Sequence, residues 1–392
     1  MTESKETFKD LGKTDFFRTR LLERNIRNPT EIQKLVIPRL LAGENVIFRS
    51  ATGTGKTFAY LLPLFEQLLA AVENGNIGNT PGPRLLILAP TLELCSQIKQ
   101  EADFLLKDRR ITVSLIIGSA NMSRQIESLK KDKPSVVVGN PARLLQLERM
   151  GKLKLKGINA LVLDEGDRLI GDELLEDTQE LVGRVNRNRQ TAACSATMSE
   201  RNRERLLPLM GESVVTVETE AQEILREQIA HWALFSENRR KIRTLCSFLA
   251  ASKAKKTLVF TNRGGQVGNI VSQLQYHAIG AVGLYGDLDK KVRKHAFNDF
   301  RTGKSRVLVS SDLAARGLDI PDVSYVIALD VPLEGELYIH RAGRTGRAGK
   351  RGIMVTIGDE EELKRLALLE KKLGIAVYPK LLYQGRICAP EV

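Results

Sequence analysis

Cysteine and long apolar runs are scarce in this chain of 392 residues, and acidic residues are outnumbered by basic ones. The four cysteines are single and widely spaced, which excludes a disulfide framework and a cysteine zinc site and predicts a reducing compartment. No run of about 18 apolar residues occurs, and the first residues lack the apolar segment of a signal peptide. We therefore expect a soluble, cytoplasmic protein without a membrane partner.

The balance of charge favours a polyanionic partner. Lysine and arginine together number 60 against 47 aspartate and glutamate residues, which gives a formal net charge of +13. Nucleic acid is the commonest partner of such a chain, although excess charge can also serve solubility alone. The length exceeds what one ordinary core holds and predicts two domains.

A phosphate-binding loop is the clearest local signal. Residues 46–57 combine an apolar run, a glycine-rich turn and the start of a leucine-rich helical pattern, which predicts strand, loop and helix. Gly53 and Gly55 would let backbone N–H groups approach phosphates, while Lys56 adds a positive charge. The Thr57 hydroxyl can ligate Mg²⁺. The general pattern G-x-x-x-x-G-K-[ST] fails at its first position, which is serine, and the alternative is a tight glycine turn with a solvated lysine.

Apolar stretches separated by helix-length segments follow this loop and predict a parallel sheet covered by helices on both faces. They are residues 85–89, 113–117, 136–138, 160–164 and 191–195. Functional residues of such a sheet lie just past the carboxyl ends of its strands, where Asp164, Glu165 and Ser195 occur. Asp164 is placed to hold Mg²⁺ and Glu165 to polarise an attacking water. An acidic turn on a solvated loop is the alternative.

Two residues ahead of the phosphate loop have two possible roles. Thr30 and Gln33 fit a capping box at a helix N-terminus, and that structural role alone could explain both. They are also placed to recognise a nucleobase, because a glutamine amide offers a paired donor and acceptor to adenine and an aromatic side chain can stack on it. The spacing does not decide between the two roles.

A second alternating set of strands follows a charged stretch, from about residue 212 to 228, in which the apolar periodicity weakens. We place the domains at residues 1–217 and 229–392, with a linker at 218–228. The second set comprises residues 229–235, 257–260, 281–284, 306–310, 323–329 and 352–357, then a helix at 360–373 and a short tail. The basic, glycine-rich residues 338–351 suit arginine fingers that reach a γ-phosphate, and a solvated loop is the alternative.

Together these motifs resemble the DEAD-box RNA helicases of helicase superfamily 2, and the resemblance spans nearly the whole chain. The matching segments are Phe8 with residues 29–33 (Q motif), 50–57 (motif I), 164–167 (motif II), 195–197 (motif III), 311–319 (motif V) and 340–347 (motif VI). The family implies an α/β fold of two tandem RecA-like domains, each a mostly parallel sheet with helices on both faces. It also implies ATP and Mg²⁺ as cofactors.

The resemblance implies roles for individual residues at the ATP site. Adenine would be selected by Phe8, Thr30 and Gln33, and the phosphates would be bound by Thr52, Gly53, Thr54, Gly55 and Lys56. Mg²⁺ would be positioned, through water, by Thr57 and Asp164. Glu165 would act as general base, with His340, Arg344 and Arg347 contributed by the second domain and Asp319 near the ribose. Asp167, Ser195 and Thr197 would couple domain closure to strand separation.

The motifs that face RNA in this family are where the chain departs most from it. The residues expected on RNA are Pro90, Thr91, Gly118, Pro141, Arg143, Arg263, Ser311 and Arg316. In the first domain the usual arginine, glycine, threonine and glycine are replaced by Leu92, Ser119, Asn140 and Ala142, whereas Arg263 and Lys290 add charge in the second. The ATP-facing set departs mainly at Gly166, usually alanine, which deletes no ligand. We expect an ordinary ATP site and RNA binding that leans on the second domain.

The sequence therefore predicts an RNA-stimulated ATPase that unwinds or remodels short RNA duplexes or RNA–protein complexes. It would contact the RNA backbone with little sequence preference and act as a monomer, with protein cofactors left open. An ATP-gated RNA clamp with little unwinding activity is the main alternative. A DNA translocase of the same superfamily is another, and replacing RNA by DNA would reveal it because proteins distinguish RNA through its 2′-hydroxyls.

Overall fold

Two sheets of seven parallel strands organise the chain in the computed structural model. It describes residues 7–11, 15–50, 54–75, 82–109, 111–195, 197–219, 228–252, 254–285, 288–315, 323–346 and 351–390. These residues divide into two units, the first of which ends at Thr219. The two RecA-like domains predicted from the sequence are confirmed. No helix among the described residues is both long enough and apolar enough to cross a membrane.

The first unit alternates strands with helices. Its strands are β1 (Asn45–Arg49), β2 (Leu85–Leu88), β3 (Val113–Ile116), β4 (Val136–Gly139), β5 (Ala160–Asp164), β6 (Gln190–Ser195) and β7 (Val214–Glu218). Its helices are α1 (Phe8–Leu11), α2 (Asp15–Glu23), α3 (Glu31–Leu41), α4 (Lys56–Glu73), α5 (Leu92–Leu105), α6 (Met122–Asp132), α7 (Pro141–Arg149), α8 (Gly166–Leu169), α9 (Leu175–Arg184) and α10 (Glu200–Met210). The strand order is β3-β4-β2-β5-β6-β1-β7, so that the carboxyl ends of β5, β6 and β1 are neighbours.

Two apolar layers cover the faces of this sheet. In β5, Val162 packs into the layer that contains Tyr60, whereas Leu161 and Leu163 pack into the opposite layer. Successive side chains of a strand point to opposite faces, so each buried strand needs apolar residues throughout. This requirement explains the continuous apolar runs. Because side chains alternate along the strand, Asp164, two residues after Val162, points towards the layer that contains Tyr60.

The second unit repeats the same architecture. Its strands are β8 (Ile229–Phe235), β9 (Thr257–Phe260), β10 (Ala281–Leu284), β11 (Val307–Ser310), β12 (Tyr325–Ala328), β13 (Gly352–Gly358), β14 (Val377–Pro379), β15 (Leu381–Tyr383) and β16 (Arg386–Cys388). Its α-helices are α11 (Lys241–Ser252), α12 (Val267–Tyr276), α13 (Lys290–Thr302), α14 (Asp312–Ala315), α15 (Gly335–Ala342) and α16 (Glu360–Leu373), with 3-10 turns at Asn238–Arg240 and Gly264–Gln266.

The second sheet has the strand order of the first, β10-β11-β9-β12-β13-β8-β14, and β14 occupies the edge position that β7 occupies in the first sheet. The prediction of a short tail after α16 was therefore wrong. Residues 377–379 pair in parallel with β8, and β15 and β16 form an antiparallel hairpin. Three-residue strands carry no periodic signal of their own, and the partner strand supplies the hydrogen bonds. The edge strand β7, of five residues, lies in the stretch where the sequence showed weak periodicity.

Candidate active site

The phosphate loop, which follows β1, is held by hydrogen bonds between its own residues. Ser50 Oγ and Thr54 Oγ1 lie 2.6 Å apart, and Lys56 Nζ donates to the Ser50 carbonyl oxygen at 2.7 Å. Burial lowers the pKa of Lys56, while the negative charges of Asp164 and Glu165 act in the opposite direction. Tyr60, one helical turn after Lys56, donates to Asp164, so α4 brings Lys56 to the side of the acidic motif. The ammonium is bound by a carbonyl oxygen that a phosphate oxygen can replace. Two predicted phosphate ligands, Thr52 and Gly53, lie outside the described residues.

The capping-box residues contact the phosphate loop directly. Gln33 Oε1 accepts the Thr30 N–H at 3.0 Å, and Gln33 Nε2 donates to the Gly55 carbonyl oxygen at 3.0 Å. The structural role left open by the sequence is thus present, together with a link to the loop that spacing did not reveal. Phe8, the predicted adenine-stacking residue, packs against the core of the first unit and is half-buried.

Asp164 is a buried carboxylate at the end of β5. Oδ1 accepts hydrogen bonds from the Glu165 N–H and the Cys194 thiol, each at 2.9 Å, and Oδ2 accepts one from Tyr60 Oη at 2.8 Å. Burial raises the pKa of Asp164, whereas these donors and the charge of Lys56 lower it. Burial disfavours the charged form of a carboxylate, and a nearby cation stabilises that form.

Glu165 has a backbone conformation that is rare for its residue type. Its φ is 50° and its ψ is 53°, in the left-handed region, at the start of α8. Its side chain pairs with Arg168 at 3.3 Å, and both side chains are 16% exposed. Such strained residues cluster at functional sites, where the surrounding structure holds them in place.

Motifs II and III are joined by a hydrogen bond. Thr197 Oγ1 donates to Asp167 Oδ2 at 2.5 Å, and the Thr197 N–H donates to Ser195 Oγ at 3.1 Å. The three residues predicted to couple closure to strand separation are therefore in contact. At Gly166 an added Cβ would meet its nearest atom, the Cys194 carbonyl oxygen, at 3.6 Å, an ordinary contact. The alanine usual in the family would fit here, which supports a neutral departure.

Arg143 holds the turn that contains Gly118. Its Nη2 donates to the carbonyl oxygens of Gly118 at 2.5 Å and Ala120 at 3.3 Å, and Nη1 lies 3.1 Å from Met122 Sδ. Pro141 begins the helix that carries Arg143, a position where the missing N–H of proline has no cost. Arg143 and Gly118, both predicted to bind RNA, are thus in contact.

The replacements in the first unit differ in exposure. Ser119 and Ala142 are exposed, whereas Leu92 is half-buried against the apolar core. Asn140 precedes α7 without capping it, and its Oδ1 is buried without a hydrogen-bond partner among the described residues. Thr91 caps α5 by accepting the Leu94 N–H at 3.3 Å, directly after the half-buried Pro90.

A buried arginine that sequence reasoning did not single out organises the candidate site of the second unit. Arg341 is 1% exposed and binds both carboxylate oxygens of Asp312, at 2.7 and 2.5 Å. It also donates to Asn262 Oδ1 and to the Asp330 carbonyl oxygen. The residue joins motif VI to residues that follow β9, β11 and β12. The motif match included this arginine, but nothing in the sequence distinguished a buried one from a finger.

The remaining candidates of the second unit lie near this arginine in the chain. Arg344 is buried, and its N–H donates to the Arg341 carbonyl oxygen, while His340 is half-buried. Arg263 is exposed, and a Cβ added at the following Gly264 would lie 3.9 Å from Ser311 Cβ. Motifs IV and V therefore meet. Three further candidates, Arg316, Asp319 and Arg347, lie outside the described residues.

The oxygen ligands near the phosphate loop fit Mg²⁺. Asp164 presents a carboxylate, and Thr57 lies one helical turn before Tyr60, which itself binds Asp164. Among the described residues no group of three or more histidine, cysteine or acidic side chains could hold a metal unaided. Magnesium in nucleotide sites is bound by one or two carboxylates together with phosphates and water, so a single carboxylate beside a hydroxyl is sufficient.

Comparisons with known proteins agree with this geometry. The DEAD/DEAH box helicase family matches residues 30–206, and the helicase conserved C-terminal domain matches residues 240–349. The chain is 35% identical over 356 residues to the DEAD-box ATP-dependent RNA helicase CshC of Bacillus cereus, covering 91% of this chain and 88% of that protein. It is 33% identical to CshA of Geobacillus kaustophilus, covering 93% and 76%. The structure of S. cerevisiae Dbp5 bound to RNA and ADP BeF3 matches 95% of both chains, with 26% identity and a TM-score of 0.82.

Proposed function

Because this chain belongs to the DEAD-box family of ATP-dependent RNA helicases, we propose that it hydrolyses ATP at the carboxyl ends of β1, β5 and β6. Lys56 would bind the β- and γ-phosphates, and Thr57 with Asp164 would position Mg²⁺, which shields phosphate charge when bound. Glu165 would accept a proton from the attacking water. The observation that carries this assignment is the hydrogen bond from Tyr60, one helical turn after Lys56, to Asp164 at the end of β5.

The proposed base is tested by Glu165→Gln, which keeps the shape of the side chain but removes its capacity to accept a proton. We expect ATP binding to persist and turnover to fall by at least about 10²-fold. Glu176→Gln, at an exposed position of α9, is the matched control and should hydrolyse ATP normally. Turnover by Glu165→Gln within about threefold of wild type would remove Glu165 from this role.

The second domain would supply Arg344 and Arg347 to the γ-phosphate, as the family motif implies. Arginine fingers contribute about 10³–10⁵ in rate in other phosphoryl-transfer enzymes. We therefore expect Arg344→Ala and Arg347→Ala to lower turnover far more than ATP affinity, whereas Arg301→Ala, at an exposed position of α13, should change neither. Equal losses in affinity and turnover would show that these arginines only bind ATP.

RNA is the proposed stimulating partner, bound through its backbone. The support is the net charge of +13, the exposed Arg263 beside motif V and the similarity to RNA helicases. A duplex displacement assay beside an ATPase assay separates unwinding from an ATP-gated clamp, because a clamp hydrolyses ATP with RNA but leaves the duplex intact.

The four cysteines are free thiols, which supports a reducing compartment such as the cytoplasm.

A further inference from the structure

The carboxylate proposed to position Mg²⁺ is held from two sides by buried side-chain donors. Tyr60 Oη donates to Asp164 Oδ2 at 2.8 Å, and the Cys194 thiol donates to Oδ1 at 2.9 Å. Tyr60 and Cys194 are each 0% exposed, and Asp164 is 4% exposed. Neither donor belongs to the phosphate loop or to the acidic motif.

The fold brings these three residues together by strand register and helix periodicity. Asp164 and Cys194 are direct partners in the parallel pair β5–β6, so their side chains project from the same face of the sheet. Tyr60 lies one helical turn after Lys56 in α4, which packs on that face. The contacts are therefore part of the core and do not depend on a mobile loop.

Hydrogen-bond capacity distinguishes the two oxygens of Asp164. Oδ1 accepts from both Cys194 and the Glu165 N–H, which fills the two acceptor positions of a carboxylate oxygen. Among the described residues Oδ2 accepts only from Tyr60, which leaves one acceptor position open. Oδ2 is thus the oxygen with capacity for a magnesium-bound water.

The two donors differ in strength. Cys194 is the weaker of the two, because a thiol is a poor hydrogen-bond donor.

We propose that Tyr60 and Cys194 are positioning residues that orient the Asp164 carboxylate for the magnesium–nucleotide complex, with Oδ2 as the oxygen presented to the ion. The proposal rests on the proposed function, in which Asp164 positions Mg²⁺. Magnesium demands near-ideal octahedral geometry, so a carboxylate that rotates loses affinity. Outer partners that orient a ligand typically contribute about 10–100-fold in metal affinity or activity.

The test measures binding of a fluorescent ADP analogue by the full-length protein across a Mg²⁺ titration, without turnover. Tyr60→Phe keeps the ring and removes the hydroxyl, and should raise the half-maximal Mg²⁺ concentration about tenfold. Tyr325→Phe, which removes a hydroxyl from the second unit, is the matched control and should match wild type.

The thiol is tested by a pair of variants. Cys194→Ala removes the donor and should raise the half-maximal Mg²⁺ concentration about threefold, while Cys194→Ser keeps a donor and should stay near wild type. Cys246→Ala, a buried cysteine of the second unit, is the control for loss of a thiol. Thermal unfolding of each variant checks the fold, and Tyr60→Phe carries the test if Cys194→Ala is unfolded.

Asp164→Asn separates this inference from the proposed function. If Asp164→Asn keeps the magnesium dependence of wild type, Asp164 does not position the ion and the proposed function is wrong at this residue. If Asp164→Asn removes the dependence while Tyr60→Phe stays within about twofold of wild type, the ligand is right and the positioning role is wrong. A higher half-maximal Mg²⁺ concentration for Tyr60→Phe, together with a wild-type value for Cys194→Ser, supports the proposal.

Discussion

The Gln33 side-chain amide donates to the Gly55 carbonyl oxygen at 3.0 Å, which joins the helix before β1 to the loop after it. Gly55 has a φ of +90°, and a Cβ built there would lie 2.3 Å from Gln33 Nε2. The backbone conformation therefore disfavours a side chain at this position, and an added Cβ would also have to displace the end of the Gln33 side chain. The predicted adenine-reading residue and the phosphate loop form one hydrogen-bonded unit.

Gly55→Ala should lower ATP affinity by at least about tenfold, because the new methyl group displaces Gln33 and distorts the loop. Gly43→Ala is the matched control, since Gly43 has a φ of +85° but no atom within 4 Å of the added Cβ. It should destabilise the protein by about 1 kcal/mol and leave ATP affinity unchanged. Calorimetric titration with ATP and thermal unfolding measure both effects. Equal ATP affinity in the two variants would show that the loop relaxes away from Gln33.

Thr197→Val should reduce duplex displacement more than RNA-stimulated ATP hydrolysis. The valine keeps the shape of the side chain but cannot donate to Asp167. The hydrogen bond that links motif III to motif II would therefore be lost. Thr197→Ser keeps the donor and should retain both activities. Displacement of a labelled strand and phosphate release are measured on the same sample. A parallel fall in both rates would contradict a coupling role.

Arg341→Met should destabilise the second domain by about 3–5 kcal/mol, because it leaves the Asp312 carboxylate without its buried partner. Arg341→Lys should give an intermediate loss, since an ammonium cannot reproduce the bidentate contact. The only tryptophan in the sequence is Trp232, on β8, so its fluorescence during denaturation by urea reports on this domain. Arg301→Met, at an exposed site, should keep the wild-type midpoint. An unchanged midpoint for Arg341→Met would show that the pair contributes no net stability.

RNA binding should lean on the second domain and depend strongly on salt. Each phosphate neutralised on a single strand contributes about −0.7 to the slope of log affinity against log salt, so Arg263→Thr should flatten that slope. Leu92→Arg should strengthen RNA-stimulated hydrolysis at moderate salt by restoring a cation. Titrations with RNA at two salt concentrations measure both effects. If neither variant differs from wild type, the replacements are neutral and the prediction that RNA binding leans on the second domain is wrong.

Alkylation should distinguish the cysteines. Burial raises the pKa of Cys95 to about 12, so only about 10⁻⁴ of this thiol is ionised at pH 8, and the thiolate is the reactive form. Burial also raises the pKa of Cys194 and of Cys246. Cys388, which is half-exposed, should therefore react first with iodoacetamide, and the other three only after unfolding. Mass spectrometry of the labelled peptides measures the order, and rapid native labelling of Cys95 would contradict its burial.

The sequence by itself determined the two-domain α/β fold and the positions of the ATP-facing motifs. Continuous apolar runs such as residues 160–163 can be buried only in strands covered on both faces, and the residues that follow them must lie at the carboxyl edge. This rule alone places Asp164 and Glu165 at that edge. The edge strand β14 was missed, because three residues whose order depends on a partner strand carry no pattern of their own.

Only the tertiary structure decided which side chains contact one another across long separations in the sequence. Tyr60 and Cys194 lie 104 and 30 positions from Asp164, and their contact depends on strand register and on the packing of α4. Arg341 and Arg344 look alike in the motif, yet Arg341 is engaged by Asp312. A linear motif identifies residues that can meet a ligand. Which residues hold them in place is set by burial, because a buried donor or charge must find its partner within the fold.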